Sequence, residues 1–332
     1  MRPLGTGSDE DLVKTWTLAI ATTVATFVLL LVGGTVNPTG SSLACPDWPT
    51  CFGSIVPEMT GGVLFEHSHR LVATAVGAMT VALAISIWVS RKQDRGVRVL
   101  GLVAAFGVVF QGILGGITVL YRLPTLVSTA HLGVALAFFS LLIYLCFRLR
   151  PEPSEIRVEE GVRRGARWAL GLSAAAVYLQ ILLGALVRHT GSGHACPVLP
   201  LCGGEGAQLW PALGAERLHM VHRGGGFVVF FVVLLAAVYV LRRVREGRIV
   251  RRMTLLAPAL LLLQIVVGAW TVLTHIAWVP AMLHLGVAAA ILASLLVAFL
   301  GLVPAPAVQT TGRRTHASGT SPLLTLQEGE TK

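Results

Sequence analysis

The chain has 332 residues, of which 54% are hydrophobic and 13% are charged. A soluble domain of this length does not need so much apolar surface, so the composition excludes an ordinary soluble enzyme and indicates an integral membrane protein. The formal net charge of +10 would suit a nucleic-acid-binding protein. The basic residues lie in short loops between apolar segments, however, so they indicate membrane topology, and no nucleic-acid partner is expected.

Eight apolar segments follow one another along the chain, each long enough to cross a hydrocarbon core of about 30 Å. They cover residues 16–36, 62–89, 99–120, 123–147, 168–187, 218–241, 253–273 and 278–303. Lipid leaves only helices or closed barrels as spanning structures, so continuous apolar runs of this length predict helices. The predicted fold is therefore an all-α integral membrane protein with eight transmembrane helices.

The loops that join spans two and three, four and five, and six and seven hold most of the lysines and arginines. The opposite loops are nearly free of both residue types. Because basic loops stay in the cytoplasm, both termini are predicted to be cytoplasmic and the opposite loops extracytoplasmic, in a multi-pass protein of the cell membrane. Residues 304–332 are rich in Thr, Ser, Gly and Pro and are predicted to form a disordered cytoplasmic tail.

The sequence repeats itself along most of its length. Thr39-Gly40-Ser41 matches Thr190-Gly191-Ser192 at an offset of 151 (190 − 39), and Gln111 matches Gln264 at an offset of 153 (264 − 111). Each copy holds four spans, and because four is even, both copies have the same orientation across the membrane. The predicted organisation is a tandem parallel repeat of two four-helix bundles, 16–147 and 168–303, with a cytoplasmic N-terminus (1–15) and a cytoplasmic linker (148–167).

Four histidines at the edges of apolar segments repeat with this unit. His69 and His131 lie 62 residues apart (131 − 69), and His222 and His284 lie 62 residues apart again (284 − 222). Ionisable residues at membrane depth are rare and usually functional. The two helices of each pair run in the same direction, so their histidines lie at one depth and can clamp a flat macrocycle from both faces, as in bis-histidine haem ligation.

Other interpretations of these residues stay open. Zinc is bound by three or four clustered ligands, whereas each half offers two strong candidates. Alternatively, each histidine only forms a hydrogen bond between helices. Gly133 and Gly286, close to the second histidine of each pair, would let a porphyrin approach the backbone or let helices pack closely. Arg70 and Arg223 each follow the first histidine of a pair, and they are expected to contact haem propionates or to extend to water or lipid.

Glu66 breaks the repeat. It lies three residues before His69, on the same helix face, and the equivalent position in the second half (66 + 153 = 219) holds His219. A carboxylate beside only one pair predicts that one half carries out chemistry and the other does not. Partial burial would fit Glu66 for proton transfer. An ion pair with Arg70 is the alternative role.

Four of the five cysteines form two Cys-x5-Cys loops on the predicted extracytoplasmic side, a compartment that permits disulfides. The short separations favour Cys45–Cys51 and Cys196–Cys202, which leaves Cys146 free in the fourth span. The bonds either staple the loops over the two sites or, for the first pair, take part in redox chemistry or substrate handling.

These motifs resemble those of the haem A synthase family, whose versions with two Cys pairs look bacterial. The resemblance covers residues 16–303 and rests on Glu66-x-x-His69-Arg70, His131-Leu-Gly, His222-Arg223, His284-Leu-Gly, the two Cys pairs and the helix repeat. It implies that the C8 methyl group of haem O is oxidised to a formyl group, giving haem A for terminal oxidases. Two successive hydroxylations and the loss of water from a geminal diol would bring this about.

By the same resemblance, His69 and His131 of the first half bind the substrate haem, with Glu66 as the catalytic residue. His222 and His284 of the second half ligate the iron of a haem b cofactor that passes electrons. The expected partners are membrane lipid, a haem O synthase that supplies the substrate, terminal oxidase assembly, and an electron donor that the sequence does not identify.

A dihaem b-type membrane cytochrome that exchanges electrons with quinone is the main alternative function. It would use the same four histidines, but it gives no reason for a carboxylate beside only one pair. A transporter built on parallel repeats is a third possibility. It would place polar residues or broken helices near the membrane midplane, whereas the ionisable groups here cluster at helix ends.

Overall fold

A computed structural model of the chain describes residues 9–151, 156–203 and 208–303. Within them lie eight long α-helices and no β-strand, which confirms the predicted all-α fold. The helices are α1 (Asp9–Val36), α2 (Gly61–Ser90), α3 (Arg95–Leu120), α4 (Thr125–Leu149), α5 (Glu160–His189), α6 (Gly214–Arg243), α7 (Arg248–Leu273) and α8 (Trp278–Gly301). The tail predicted for residues 304–332, and residues 152–155 of the predicted linker, lie outside the described residues.

All eight helices are long and apolar enough to cross a membrane. Their outer faces carry exposed apolar side chains, such as Phe106 on α3 (75% exposed), Leu179 on α5 (63%) and Leu235 on α6 (69%). Such a surface is unfavourable in water, whereas hydrocarbon accepts it and requires only that the backbone be hydrogen-bonded within each helix. The protein is therefore a multi-pass membrane protein.

Several helices extend beyond the predicted spans. α1 begins at Asp9 rather than at residue 16, and α5 begins at Glu160 rather than at residue 168. The prediction used the apolar run, which marks the hydrocarbon core, and a helix continues past that core until its backbone hydrogen bonds are interrupted. At Asp9 and Glu160 the extra turns are polar, as expected for helix ends that leave the apolar region.

The start of α4 was predicted two residues too early, at residue 123 (125 − 123). Arg122 and Leu123 have left-handed backbone conformations, with φ of 56° and 63°, and they form a tight turn before the helix. Residues in this conformation cannot belong to an α-helix. The repeat-equivalent turn before α8 has the same conformation at His275 and Ile276 (φ 51° and 64°), so the two halves also match in backbone detail.

The helices pack alike in both halves. α1 contacts α2, α4 and α8, and α5 contacts the equivalent set, α6, α8 and α4. α3 lies against α2 and α4, and α7 lies against α6 and α8. α4 and α8 also contact each other between the halves. These equivalent neighbours are what a parallel repeat about an axis along the membrane normal produces.

The two halves share one apolar core. Its largest cluster includes Leu136 and Ile143 of α4, Leu170 of α5, and Ile291 and Leu295 of α8, all buried. In lipid the attraction between helices comes from close packing rather than from exclusion of water, so a continuous, well-filled core is what holds the halves together. The histidine sites on α4 and α8 are therefore fixed relative to each other.

Two loops lie at one end of the bundle, here named the Cys-loop end: residues 37–60 between α1 and α2, and residues 190–213 between α5 and α6. Each contains one disulfide, Cys45–Cys51 and Cys196–Cys202, with Cα–Cα distances of 4.8 and 4.9 Å. Cys146 is free. The predicted pairing is confirmed.

Candidate metal centres

The second histidine pair lies between α6 and α8 near the Cys-loop end. The rings of His222 and His284 face each other with their centroids 6.4 Å apart and their planes at 75°. Two metal–nitrogen bonds of about 2 Å each, together with two half-rings, span about 6 Å. The pair therefore fits a single metal ion held between the two rings, which is how bis-histidine haem iron is bound.

The first pair consists of His69 on α2 and His131 on α4, the helices equivalent to α6 and α8. Nδ1 of His69 is buried and has no hydrogen-bond partner among the described residues, and the same is true of Nδ1 of His284. Leaving a buried polar atom unpaired costs roughly 1–3 kcal/mol. Unpaired buried imidazole nitrogens in both pairs are consistent with rings arranged for a ligand rather than for each other.

All four candidate ligands lie against a glycine of a neighbouring helix. A Cβ atom built on each glycine would come within 2.8–3.2 Å of the Cε1 atom of the histidine, so the ring would have to move at three of the four positions and would be tightly packed at the fourth, Gly115. The four contacts are Gly33 (α1) with His69, Gly115 (α3) with His131, Gly184 (α5) with His222, and Gly268 (α7) with His284. These glycines were not predicted as site residues, although their repeat offsets of 151 (184 − 33) and 153 (268 − 115) are visible in the sequence.

Glutamines support three of the four histidines. The amide nitrogen of Gln180 lies 3.0 Å from Nδ1 of His222 and donates a hydrogen bond to the His222 carbonyl oxygen at 2.7 Å. Gln111 makes the equivalent contacts with His131. Gln264 donates to the His284 carbonyl oxygen at 3.0 Å, but its amide nitrogen lies 3.3 Å from Nε2 of the ring rather than near Nδ1. Each glutamine thus fixes both the ring and the backbone of a candidate ligand.

His69 lacks this support. The position equivalent to Gln180 in the first half (180 − 151 = 29) holds Leu29, which cannot form the hydrogen bond. Gly225, which leaves room for the Gln180 amide, is replaced by Val72 (225 − 153 = 72). The first pair therefore has one glutamine-supported histidine, and the second pair has two.

Glu66 is buried beside the first pair. Its carboxylate forms a salt bridge with Arg70 at 2.6 Å and accepts a hydrogen bond from the backbone N–H of Cys45 at 2.9 Å. The ion pair, which was one of the two roles considered for Glu66, is present. Glu66 also connects the histidine helix directly to the first Cys loop. In the second half, His219 occupies the equivalent position and is buried as well.

Arg70 and Arg223 bind the Cys loops. Arg223 donates to the carbonyl oxygens of Val198 at 2.9 Å and Cys196 at 2.6 Å. Arg70 donates to the equivalent carbonyl oxygens, those of Asp47 at 2.7 Å and Cys45 at 3.3 Å. In Arg70 each Nη group donates twice, to loop carbonyl oxygens and to Glu66, so a propionate contact there would need another donor. Arg223 donates twice through Nη1 and once through Nη2. In Arg223 the buried Nε has no partner among the described residues.

Asp47 organises the first Cys loop. Its carboxylate accepts hydrogen bonds from the Thr50 hydroxyl at 2.5 Å and from the backbone N–H groups of Phe52 at 2.6 Å and Gly53 at 2.9 Å. The hydrogen bond from Thr50, followed by that from Gly53, lowers the pKa of Asp47 from 3.8 to about 2. The carboxylate is therefore ionised at neutral pH, and the loop keeps its shape.

Trp48 places the first Cys loop against α3, beside the first histidine pair. Its ring lies 2.8 Å from the position that a Cβ atom would take at Gly116 on α3, directly after the glycine that supports His131. The equivalent residues in the second half are Leu199 (48 + 151) and Ala269 (116 + 153), so this close contact of an indole with a glycine has no counterpart there. The first Cys loop thus reaches towards its histidine pair in a way specific to that half.

His67 lies beside the first disulfide. One of its ring nitrogens is within 4.8 Å of the sulfur atoms of Cys45 and Cys51, and its Nε2 is 2.9 Å from the carbonyl oxygen of Ile55. This cluster resembles a metal site by distance only. Metal binding requires a thiolate, and the sulfur atoms of a disulfide are not available as thiolates.

Gly133 and Gly286 contact the other half of the protein. A Cβ atom at Gly286 would overlap Leu31 of α1, and one at Gly133 would lie 3.0 Å from Leu182 of α5. Leu31 and Leu182 are repeat equivalents (182 − 31 = 151). Two roles were considered for these glycines, and the contacts in the structure are those of close helix packing.

Comparison with known proteins covers nearly the whole bundle. A profile of the COX15-CtaA family, described as "Cytochrome oxidase assembly protein", matches residues 15–62 and 58–296, a range that includes both histidine pairs, Glu66 and both disulfides. A protein of Geobacillus kaustophilus named "Heme A synthase" is 31% identical over 272 residues, covering 80% of this chain and 84% of its own length. Proteins of the same name from Lysinibacillus sphaericus (30% over 269 residues; 80% and 88%) and Alkalihalophilus pseudofirmus (29% over 269 residues; 80% and 90%) are similar to a comparable extent.

Proposed function

The chain belongs to the COX15-CtaA family of cytochrome oxidase assembly proteins, and we propose that it is a haem A synthase, a membrane-bound oxidoreductase that oxidises the C8 methyl group of haem O to the formyl group of haem A. The observation that carries this proposal is the asymmetry of the duplicated site. Two histidine pairs share one architecture, and a buried carboxylate, Glu66, lies beside one of them only. An electron-transfer cytochrome would have no use for that difference.

The first half (16–147) is proposed to bind the substrate through His69 and His131. The second half (168–303) is proposed to hold a resident haem b through His222 and His284. When bound, the two haems supply the electron transfer and the oxidation. The chain supplies the positions of the ligands, which the glycine and glutamine contacts fix.

Glu66 is proposed to hold or relay a proton beside the reacting methyl group. Its burial excludes bulk water, and the salt bridge to Arg70 together with the Cys45 N–H keeps both carboxylate oxygens in place. The first Cys loop is bound to the same arginine and rests on α3 through Trp48. This arrangement supports a role of the Cys45–Cys51 disulfide in stapling a cover over the substrate site.

The haem content of the purified protein tests the proposal. Haem b together with haem O or haem A is expected when the protein is produced alongside a haem O synthase. Two molecules of haem b per chain, without haem O or haem A, would instead support a dihaem cytochrome. His222→Ala is expected to remove haem b, whereas His69→Ala is expected to leave haem b bound and to abolish haem A production.

The Cys-loop end is proposed to face the extracytoplasmic side, because the opposite end carries most of the arginines. Val56 (84% exposed) and the exposed Arg248 lie at opposite ends of the bundle. In intact cells, a membrane-impermeant thiol reagent should label Val56→Cys and leave Arg248→Cys unlabelled. The reverse pattern would contradict the orientation and the argument for an oxidising compartment.

The proposed partners follow from the reaction. Haem O is lipophilic apart from its two propionates, so we expect a haem O synthase to deliver it within the membrane and haem A to pass to a terminal oxidase. The description of the family as cytochrome oxidase assembly proteins supports the second step. Each hydroxylation of the methyl group needs an oxidant that supplies an oxygen atom, and where that oxidant is dioxygen, an electron donor is needed to reduce the second oxygen atom to water; the residues identify neither partner.

A further inference from the structure

Arg188 lies at the boundary between the two halves, near the Cys-loop end of α5. Its Nε donates to Oδ1 of Asn37 at 3.0 Å, and its Nη2 donates to the carbonyl oxygen of Gly34 at 3.1 Å, both on α1 or directly after it. Asn37 is also the repeat equivalent of Arg188 (37 + 151 = 188). Two equivalent positions thus meet across the interface, and only one of them carries a charge.

The charge of Arg188 has no counter-charge in the part of the chain that the structure describes. Both of its partners are neutral, its Nη1 forms no hydrogen bond there, and it takes part in no ion pair. Charged groups at membrane depth are expensive and usually pair with an opposite charge. A partly buried guanidinium with a free donor therefore indicates an anion that binds beside it.

Arg188 is close to both candidate metal centres. It lies one helical turn after Gly184, the glycine that supports His222, so both residues share one face of α5. Its partner Asn37 lies one turn after Gly33, which supports His69, at the Cys-loop end of α1. Arg188 consequently lies one helical turn towards the Cys-loop end from the glycines that contact His222 and His69.

We propose that Arg188 binds a carboxylate of the porphyrin held by His222 and His284, and so anchors the resident haem at the interface of the two halves. This inference rests on the proposed function. Haem carries two propionates, and the planar guanidinium fork matches a carboxylate. Arg70 uses both Nη groups on the first Cys loop and Glu66. Arg223 holds the second Cys loop with both Nη groups, which leaves its Nε and one Nη2 hydrogen, whereas the whole Nη1 group of Arg188 forms no hydrogen bond among the described residues. Through Asn37, the same side chain connects the haem edge to the first half.

The reduction potential of haem b in the purified full-length protein is the first measurement. Removing a positive charge beside a propionate stabilises the ferric form, so Arg188→Gln should shift the potential to more negative values, whereas Arg188→Lys should keep it close to wild type. The second measurement is haem transfer to an excess of apomyoglobin. Loss of a charge-assisted hydrogen bond should accelerate transfer about tenfold or more in Arg188→Gln.

Three variants separate this role from helix packing. Gln can still donate to Asn37 and Gly34, so a purely structural Arg188 would leave Arg188→Gln with a wild-type potential, and that result would overturn the proposal. Asn37→Ala removes the hydrogen bond from Nε but keeps the charge and the Gly34 contact, and it should leave the potential unchanged; a shift equal to that of Arg188→Gln would also refute the inference. Glu205 lies outside the described residues, and Glu205→Gln should have no effect if the counter-charge is a propionate.

A lipid phosphate as the partner of Arg188 would leave both haem measurements unchanged in Arg188→Gln, so that outcome also counts against a propionate. Wild-type protein that retains no haem b would refute the proposed function itself. Wild-type protein that retains haem b, with variants indistinguishable from it, would refute the role of Arg188 alone.

Discussion

Gly184→Ala tests whether the glycine contacts position the metal ligands. The added Cβ atom would lie 2.8 Å from Cε1 of His222. Carbon atoms in ordinary contact are about 3.5–4.0 Å apart, so the imidazole ring has to move by about 0.7 Å. The Gln180 amide, 3.0 Å from Nδ1 of the same ring, restricts the directions in which it can move. A binding site requires its groups to be placed within about 0.5 Å, so this displacement is large enough to weaken ligation.

The helix itself should not suffer from the substitution. Alanine favours a helix interior over glycine by about 1 kcal/mol, so α5 is expected to form at least as well as in the wild type. The effect should therefore appear in the haem and not in the fold. Disturbing a group that positions a metal ligand typically lowers affinity about tenfold or more. We expect Gly184→Ala to be inserted in the membrane at a normal level and to lose most of its haem b.

The assay is the haem b content per purified chain, together with the reduced absorption spectrum. Gly171→Ala is a matched control, because it lies on the same helix and its Cβ atom would lie 3.5 Å from Phe299, an ordinary contact. Gly33→Ala, against His69, should leave haem b unchanged and impair the first site only. A Gly184→Ala protein with full haem b and an unaltered spectrum would show that the contact does not position His222.

Three further results are expected. Glu66→Gln should keep haem b and accumulate haem O or a hydroxylated intermediate, measured by chromatography of extracted haems, and wild-type amounts of haem A would exclude a catalytic role. Gln180→Leu should change the haem b spectrum and speed haem loss to apomyoglobin, whereas a wild-type spectrum would show that the amide does not orient the ring. Asp47→Asn should speed phosphine reduction of Cys45–Cys51 but not of Cys196–Cys202. The hydroxyl and amide hydrogen bonds lower the pKa of Asp47 from 3.8 to about 2, so their stabilisation of the loop is fully present above pH 3.8 and is lost only as the pH falls through about 2. Protonation of Asp47 should therefore not alter the wild-type rate between pH 5 and pH 8.

The number and type of helices could be predicted from the sequence because lipid leaves a spanning segment little choice of structure. The ends of the helices could not be predicted as accurately. The apolar run stops at the edge of the hydrocarbon, while α5 continues to Glu160. The turn before α4 depends on the left-handed conformations of Arg122 and Leu123, which no residue-type preference announces.

The candidate ligands could be predicted because the repeat places His69, His131, His222 and His284 at matched positions. The residues around them depend on which faces of which helices meet, and a single sequence does not contain that information. Gln111 and Gln264 were visible as a matched pair, yet their contacts with histidines became apparent only from the packing of α3 on α4 and of α7 on α8. The paths of the Cys loops determine the partners of Arg70, and they too could not be predicted from the sequence.

Most of the differences between the halves lie around the first histidine pair, and one physical reason can account for them. A resident cofactor benefits from ligands held on every side, and both histidines of the second pair have a glutamine contact. A site that takes up a substrate and releases a product has to exchange its occupant. At the positions equivalent to Gln180 and Gly225, the first half has Leu29 and Val72, so His69 lacks the glutamine contact that His222 has. The less constrained ligand therefore lies in the half that also carries a carboxylate and a covering indole. Under the proposed function, the copy that turns over substrate has lost a hydrogen bond to one of its ligands, while the copy that stores electrons keeps a glutamine contact to each of its ligands.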